Sequence, residues 1–146
     1  MNNRVLDAIK LAVVAHDGQV DKGGKPYILH PLTVAEFVDN DDLRILAVLH
    51  DTVEDTDVTN DDIRSQFGDR IADALDHLTH RQGESYDEYI DRVSEDPMAI
   101  QVKLADLKNN MDLSRIQNPK PEDYRRVDKY ARAASKLLSI SERAAS

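Results

Sequence analysis

The 146-residue chain contains no cysteine and no tryptophan, and it has only five glycines and five prolines. Without cysteine, neither a disulfide framework nor a thiolate metal site is possible. The apolar residues near the amino terminus are interrupted by Arg4, Asp7 and Lys10, which excludes the unbroken apolar core of a signal peptide or a membrane span. We therefore expect a cytoplasmic protein without a membrane partner.

Basic residues are also scarce, since 19 Lys and Arg face 28 Asp and Glu and the formal net charge is −9. This balance disfavours a general nucleic-acid binder, because nonspecific affinity comes from cations that neutralise phosphates. A small phosphorylated ligand remains compatible with it. A divalent cation held by acidic side chains would reverse the field locally and allow an anionic substrate to dock.

The chain also lacks the sustained alternation of apolar and polar residues that is typical of half-buried strands. Apolar positions recur at helical spacing instead, so we predict an all-α bundle of about seven or eight helices. Residues 1–146 are expected to form one domain, with a frayed tail at 141–146. The predicted helices cover the stretch up to His16 and residues 32–38, 43–53, 59–68, 71–78, 86–93, 98–111 and 122–140.

Three acids and a histidine occur within six residues, as His50-Asp51 followed by Glu54-Asp55. An imidazole and a carboxylate side by side can chelate one cation, and on a helix the later pair faces the same way. The alternative is a solvated acidic helix end. The preceding apolar run, 43–49, argues against that alternative, because it would carry His50 into the interior, where a charge cluster needs a cation or partners.

Two more histidines and one more aspartate could complete such a site. His16 closes the first helix, His30 precedes Pro31, and Asp106 lies within the apolar segment 99–106. For either histidine alone, an ordinary structural role is the commoner outcome. For Asp106, the alternative is an exposed position on an amphipathic helix.

Four separated motifs together resemble the HD-type hydrolase domain of the Rel/Spo family of alarmone enzymes. They agree with the family in order and spacing, and further matches extend the resemblance over most of the chain, as in the small single-domain alarmone hydrolases. The four motifs are AHDGQ (15–19), GKPYILHP (24–31), LHDTVEDT (49–56) and VKLAD (102–106).

The resemblance implies both a cofactor and a reaction. The cofactor would be one Mn²⁺ ion, which suits imidazole and carboxylate donors in the absence of a soft ligand. The reaction would remove the 3′-pyrophosphate from guanosine tetra- or pentaphosphate. By motif, the implied metal ligands are His16, His50, Asp51 and Asp106, and the implied catalytic pair is Glu54 and Asp55.

Substrate contacts follow less directly from the resemblance. The candidates are Lys22, Lys103, Asn110 and Tyr130. Two departures bear on the substrate: Asp21 stands where many relatives carry an arginine, and the segment after Asp106 reads Leu107-Lys108-Asn109-Asn110 where relatives often have Arg-Leu-His-Asn. The base, guanine or adenine, therefore stays open, as do the catalytic efficiency and the oligomeric state.

Three hypotheses result. The first is an alarmone 3′-pyrophosphohydrolase. The second keeps the metal site but uses an adenosine-type alarmone or another phosphorylated nucleotide, which Asp21 favours. The third is a nucleotide-sensing module without turnover, and the intact Glu54-Asp55 pair speaks against it.

Overall fold

Helices joined by loops make up the secondary structure of the residues that this computed structural model describes, 3–114 and 116–145, apart from an isolated β-bridge between Val20 and Pro26. The all-α prediction is confirmed, and within these described ranges the eight predicted segments correspond to nine helices, because the segment 43–53 is divided in two. The helices are α1 (Asn3–Ala15), α2 (Leu29–Glu36), α3 (Asp41–Leu49), α4 (Thr52–Asp55), α5 (Asn60–Phe67), α6 (Asp69–Leu78), α7 (Tyr86–Val93), α8 (Pro97–Asn110) and α9 (Pro121–Ala145).

Side chains at the helix ends fix where several helices begin. Thr59 forms a capping box with Asp62 at the start of α5. Asp96 caps α8, whose first residue is Pro97. Between α5 and α6, Gly68 has a φ of +97°, a conformation that a residue with a side chain rarely adopts.

Helix α3 lies at the centre of the bundle and packs against α1, α2, α6 and α8. Because other helices surround it, all of its residues from Leu43 to Leu49 except Arg44 are apolar. Residues Ile45 to Leu49 have no exposed surface. The residues that directly follow the carboxyl end of α3 therefore lie in the interior of the bundle.

Two boundaries differ from the sequence prediction. Helix α2 begins at Leu29, three residues before the predicted start, so His30 and Pro31 lie in its first turn. Helix α9 continues through 141–145, where a frayed tail was expected; Ser146 lies outside the described residues. The extension is reasonable because Glu142, Arg143 and Ala144 are good helix formers. No helix within the described ranges is both long and apolar enough to cross a bilayer.

We predict that Leu46→Ala lowers the free energy of unfolding by about 2–5 kcal/mol, since it leaves a cavity at a site with no exposed surface. Urea unfolding monitored by circular dichroism measures the change. Val14→Ala is the matched control, because Val14 is 76% exposed and its truncation should change stability by less than about 0.5 kcal/mol. Equal effects of the two substitutions would contradict the assignment of α3 as the central helix.

Candidate metal centre

The His50-Asp51 pair lies at the break between α3 and α4. Thr52 is fully buried, and its hydroxyl donates to the Leu49 carbonyl (2.7 Å), which in a continuous helix would accept from the backbone of Val53. The chain consequently turns at this point instead of continuing as the predicted helix. The turn leaves the His50 ring buried, with its Nδ1–H donating to the Ala47 carbonyl (2.6 Å).

A second buried histidine, His30, comes from the first turn of α2. Its Nδ1 is 2.6 Å from the side-chain oxygen of Asn109, and its Nε2 is 2.8 Å from Asp106 Oδ1. Its ring centroid lies 5.3 Å from that of His50. Helices α2 and α8, which pack together, thus bring residues nearly 80 positions apart into contact with the end of α3.

Asp106 is the buried carboxylate at which these groups meet. Its Oδ1 accepts from Asn110 (3.0 Å) and lies near both imidazoles, while its Oδ2 accepts from the Lys103 ammonium (2.8 Å). Burial by itself raises the pKa of this carboxyl group, but the charges of Lys103 and His50 hold the pKa well below its usual range. Asp106 is therefore an anion in the core of the bundle.

The imidazole nitrogens that face Asp106 fit a cation. Each ring uses Nδ1–H for an oxygen acceptor, so Nε2 is the nitrogen that would bind a metal ion. Without a metal the His50 ring is protonated, because burial lowers its pKa but the charges of Asp51 and Asp106 raise it well above the usual range. His50 Nε2 is 3.1 Å from Asp51 Oδ2 and 3.3 Å from Asp106 Oδ1, yet it has no hydrogen bond of acceptable geometry. A lone pair among carboxylate oxygens is repulsive unless a proton or a metal ion lies between them.

Three donors satisfy the spacing of a metal site among the described residues. One ligand atom each from His30, His50 and Asp106 lies within 4.8 Å of the others. Asp51 adjoins this group through its contact with His50 and accepts a hydrogen bond from the Tyr27 hydroxyl. The donor set of two imidazoles and two carboxylates, without sulfur, suits a divalent first-row metal.

A second cluster, Asp51, Glu54 and Asp55, also keeps its ligand atoms within 4.8 Å. Glu54 and Asp55 lie on the short helix α4 at the protein surface, directly beside the buried donors. Partial burial and the neighbouring Asp51 raise the pKa of both carboxyl groups, and the backbone N–H of His80, which donates to Glu54 (2.7 Å), opposes the rise at Glu54. These are the properties of an acid or base poised next to a metal.

His16, which the resemblance placed among the ligands, is not part of either cluster. Its Nδ1–H donates to the side-chain oxygen of Gln19 (2.8 Å), and the amide of Gln19 donates in turn to the Asp55 carbonyl (3.0 Å). The His16 ring is buried against Tyr27, at 5.1 Å between centroids. These contacts tie the end of α1 to the loop and to α4, and the Nε2 of His16, like that of His50, is buried without a hydrogen-bond partner among the described residues.

A cavity of about 320 Å³ opens beside the donors, and His30 and Tyr27 lie in its wall. Three of the predicted substrate contacts, Lys22, Asn110 and Tyr130, line this cavity. Arg126, one turn before Tyr130 on α9, lines it as well. The cavity wall thus combines two basic and two acidic side chains with one face of the metal centre.

Lys103 does not line the cavity, in contrast to the prediction of a substrate contact. Its ammonium is buried, bonded to Asp106 and 5.0 Å from the ring centre of Tyr89. The two departures from the family pattern also have local explanations. Asp21 accepts from the backbone N–H groups of Gly23 and Lys25 and so shapes the loop, and Leu107 is fully buried in the core, where an arginine would not fit.

Sequence reasoning missed several groups of the site. The ligand set that the resemblance implies omits His30, although Pro31 marks a helix start that puts His30 in a buried first turn. Tyr27 is not among the residues that the sequence singles out, and its hydroxyl contacts Asp51. The amide of His80 carries no sequence signal, because any residue offers the same N–H.

The profile of the HD domain family matches residues 8–88, more than half of the chain. The chain therefore belongs to the HD domain family, whose members bind a divalent metal. A likeness in fold extends further, to a solved structure described as a metazoan ortholog of SpoT that hydrolyses ppGpp. That likeness covers 97% of this chain and 86% of the other, with a TM-score of 0.78 and 23% identity.

Curated relatives share more sequence but are much longer. The chain is 38% identical over 116 residues to the guanosine-3′,5′-bis(diphosphate) 3′-pyrophosphohydrolase of Aquifex aeolicus, covering 71% of this chain and 17% of the relative. It is 33% identical to the GTP pyrophosphokinase of Myxococcus xanthus over 92% of this chain and 20% of the relative. The chain thus spans about a fifth of the length of these relatives.

We predict that Lys103→Met destabilises the metal-free protein by about 3–5 kcal/mol, since it leaves the buried Asp106 without its cation. A divalent metal at the centre would replace that charge, so Mn²⁺ should raise the Tm of this variant by more than it raises that of the wild type. Differential scanning fluorimetry with and without Mn²⁺ measures both shifts.

Lys108→Met is the matched control, because Lys108 is exposed and lies over the ring of Phe37 (4.3 Å). Its response to Mn²⁺ should equal that of the wild type. An equal response of the Lys103 variant would contradict the placement of a metal against Asp106.

Proposed function

We propose that this HD domain is a Mn²⁺-dependent hydrolase that removes the 3′-pyrophosphate from guanosine tetra- or pentaphosphate. The observation that carries the proposal is the position of His30, which belongs to the donor cluster and to the wall of a cavity that also holds Lys22 and Arg126. A phosphate held by those two cations would lie next to the metal donors. The names of the curated relatives supply the reaction class.

The proposed ligands are His30, His50, Asp51 and Asp106, with His30 in place of His16. The Nδ1–H groups of both ligand histidines have oxygen acceptors that fix the ring orientations, an arrangement typical of metal-ligating histidine. A divalent ion held by these residues would supply Lewis-acid chemistry, since it would make water more acidic and offset the charge of the phosphate group.

Protein side chains transfer the proton and bind the substrate. Glu54, fixed by the His80 amide, accepts a proton from the water that attacks the phosphorus next to the ribose 3′ oxygen. The bond from that phosphorus to the 3′ oxygen breaks, pyrophosphate leaves, and the 3′ oxygen takes a proton from solvent. Lys22 and Arg126 bind phosphate oxygens, and Asn110 and Tyr130 bind the ribose or phosphates.

The competing hypothesis is an adenosine-type substrate. It rests on Asp21, which lines the cavity at a position where relatives often have an arginine. A turnover screen with Mn²⁺ against guanosine and adenosine tetraphosphates separates the possibilities. Pyrophosphate release from the guanosine compound supports the proposal. Release only from the adenosine compound, or no release from either, contradicts it.

We predict that His30→Ala loses Mn²⁺ and hydrolysis together, whereas His16→Ala keeps the metal, because only His30 contacts Asp106. Metal analysis of the two purified variants by mass spectrometry distinguishes them. Retention of full Mn²⁺ occupancy by His30→Ala and its loss from His16→Ala would reverse the ligand assignment.

We predict further that Glu54→Gln retains Mn²⁺ but lowers kcat by roughly 10²- to 10⁴-fold, the range for loss of a positioned acid or base. Glutamine preserves the shape and still accepts from the His80 amide, so the loss isolates the charge. Asp87→Asn is a suitable control, because Asp87 is an exposed acid on α7. Near-wild-type turnover of the Glu54 variant would remove Glu54 from the mechanism.

A further inference from the structure

The segment between α6 and α7, residues 79–85, is held by one arginine of α7. The Arg92 guanidinium donates to both carboxylate oxygens of Glu84, with Nε at 2.6 Å and Nη2 at 2.9 Å. It donates as well to the carbonyl oxygens of Thr79 (2.7 Å) and Asp76 (2.9 Å). The two side chains are 14% and 11% exposed, so this bidentate ion pair is shielded from solvent.

Glu84 in turn closes the segment on itself. Its Oε1 accepts from the Arg81 backbone N–H (3.1 Å), and its own N–H donates to the Arg81 carbonyl (3.2 Å). Its carbonyl oxygen accepts from the ring of His80 (2.7 Å). Gly83 completes the turn with a φ of +81°. The guanidinium holds the pKa of Glu84 at about 2, so the pair is charged across the neutral pH range.

This closed segment presents one backbone group to the candidate active site. The N–H of His80 points out of the turn and donates to Glu54 Oε1 at 2.7 Å. Glu54 is an exposed side chain with several rotatable bonds, and a hydrogen bond from a rigid amide selects one of its orientations. A displacement of about 1 Å in a catalytic group can cost roughly 10²-fold in rate.

We propose that Arg92 is a positioning residue for Glu54, acting through Glu84 and the amide of His80. The inference rests on the proposed function, because it assigns Arg92 to the reaction in which Glu54 takes the proton. Arg92 contacts neither the cavity lining nor the metal donors among its described partners. Its loss should therefore affect kcat and leave both KM and Mn²⁺ occupancy nearly unchanged.

A double-mutant cycle tests whether Arg92 acts through Glu54. Arg92→Gln should lower kcat by roughly 10- to 100-fold in the wild-type background. In the Glu54→Gln background it should lower kcat by less than about twofold, because the group that it positions has lost its function. Equal losses in the two backgrounds, or a loss confined to KM, would overturn the proposal.

Arg70 offers a matched control. It forms a bidentate pair with Asp96 (2.8 and 3.1 Å) that braces α6 against the start of α8, away from the metal donors. Arg70→Gln should lower stability yet leave kcat within about twofold of the wild type. If Arg92→Gln fails to fold, Glu84→Gln breaks the same pair while Arg92 keeps its bonds to the two carbonyl oxygens, and it should show the same cycle.

Hydrogen exchange of the His80 amide, followed by NMR, gives a readout that is independent of turnover. It should be slow in the wild type and in Arg70→Gln, and at least tenfold faster in Arg92→Gln. If the wild type releases no pyrophosphate, the proposed function fails, and slow exchange that depends on Arg92 still supports the positioning of Glu54. Exchange that does not respond to Arg92→Gln would overturn it.

Discussion

The buried carboxylate of Asp106 is the group on which the candidate site depends. It carries a negative charge inside a bundle whose surroundings are apolar, and such a charge is costly unless cations or donors surround it. Lys103, His30 and Asn110 supply contacts from three directions, and His50 lies close by. The packing of α2, α3 and α8 can be understood as the framework that brings these groups to one carboxylate.

The two layers of the site have different requirements. The inner layer, made by His30, His50 and Asp106, is buried and held by hydrogen bonds, which suits a ligand set whose geometry must be fixed before the metal binds. The outer layer, made by Glu54 and Asp55, is exposed and must be oriented by neighbours. The backbone of α4, tied to His16 through Gln19, and the turn at His80 provide that orientation.

Much of this architecture could be predicted from local sequence. The helical spacing, the Thr59 cap, the Gly68 stop and Pro97 each express a local preference that the structure preserves. The break at His50-Asp51 was not foreseen, because it depends on one buried hydroxyl taking a backbone carbonyl. The choice between His16 and His30 depends on which helix packs against α8, a long-range contact that no local pattern encodes.

Side-chain direction sets the other limit. Lysine is a residue type that commonly binds phosphate, so the sequence favours Lys103 as a substrate contact. Only the packing of α8 shows that its ammonium faces Asp106 and the Tyr89 ring. Asp21 likewise has two roles that the sequence does not separate, since it lines the cavity and also accepts hydrogen bonds from two N–H groups of its own loop. Residue type thus predicts what a side chain can do, whereas the fold decides which partner it meets.

The most direct test of the central claim is the position of the metal itself. Crystals grown with Mn²⁺ and measured at the manganese absorption edge would give an anomalous difference peak at each bound ion. We expect one dominant peak in contact with His30 Nε2, His50 Nε2 and Asp106, with Asp51 as the fourth ligand. A peak held by Glu54 and Asp55 without the two histidines, or one bound to His16, would contradict it.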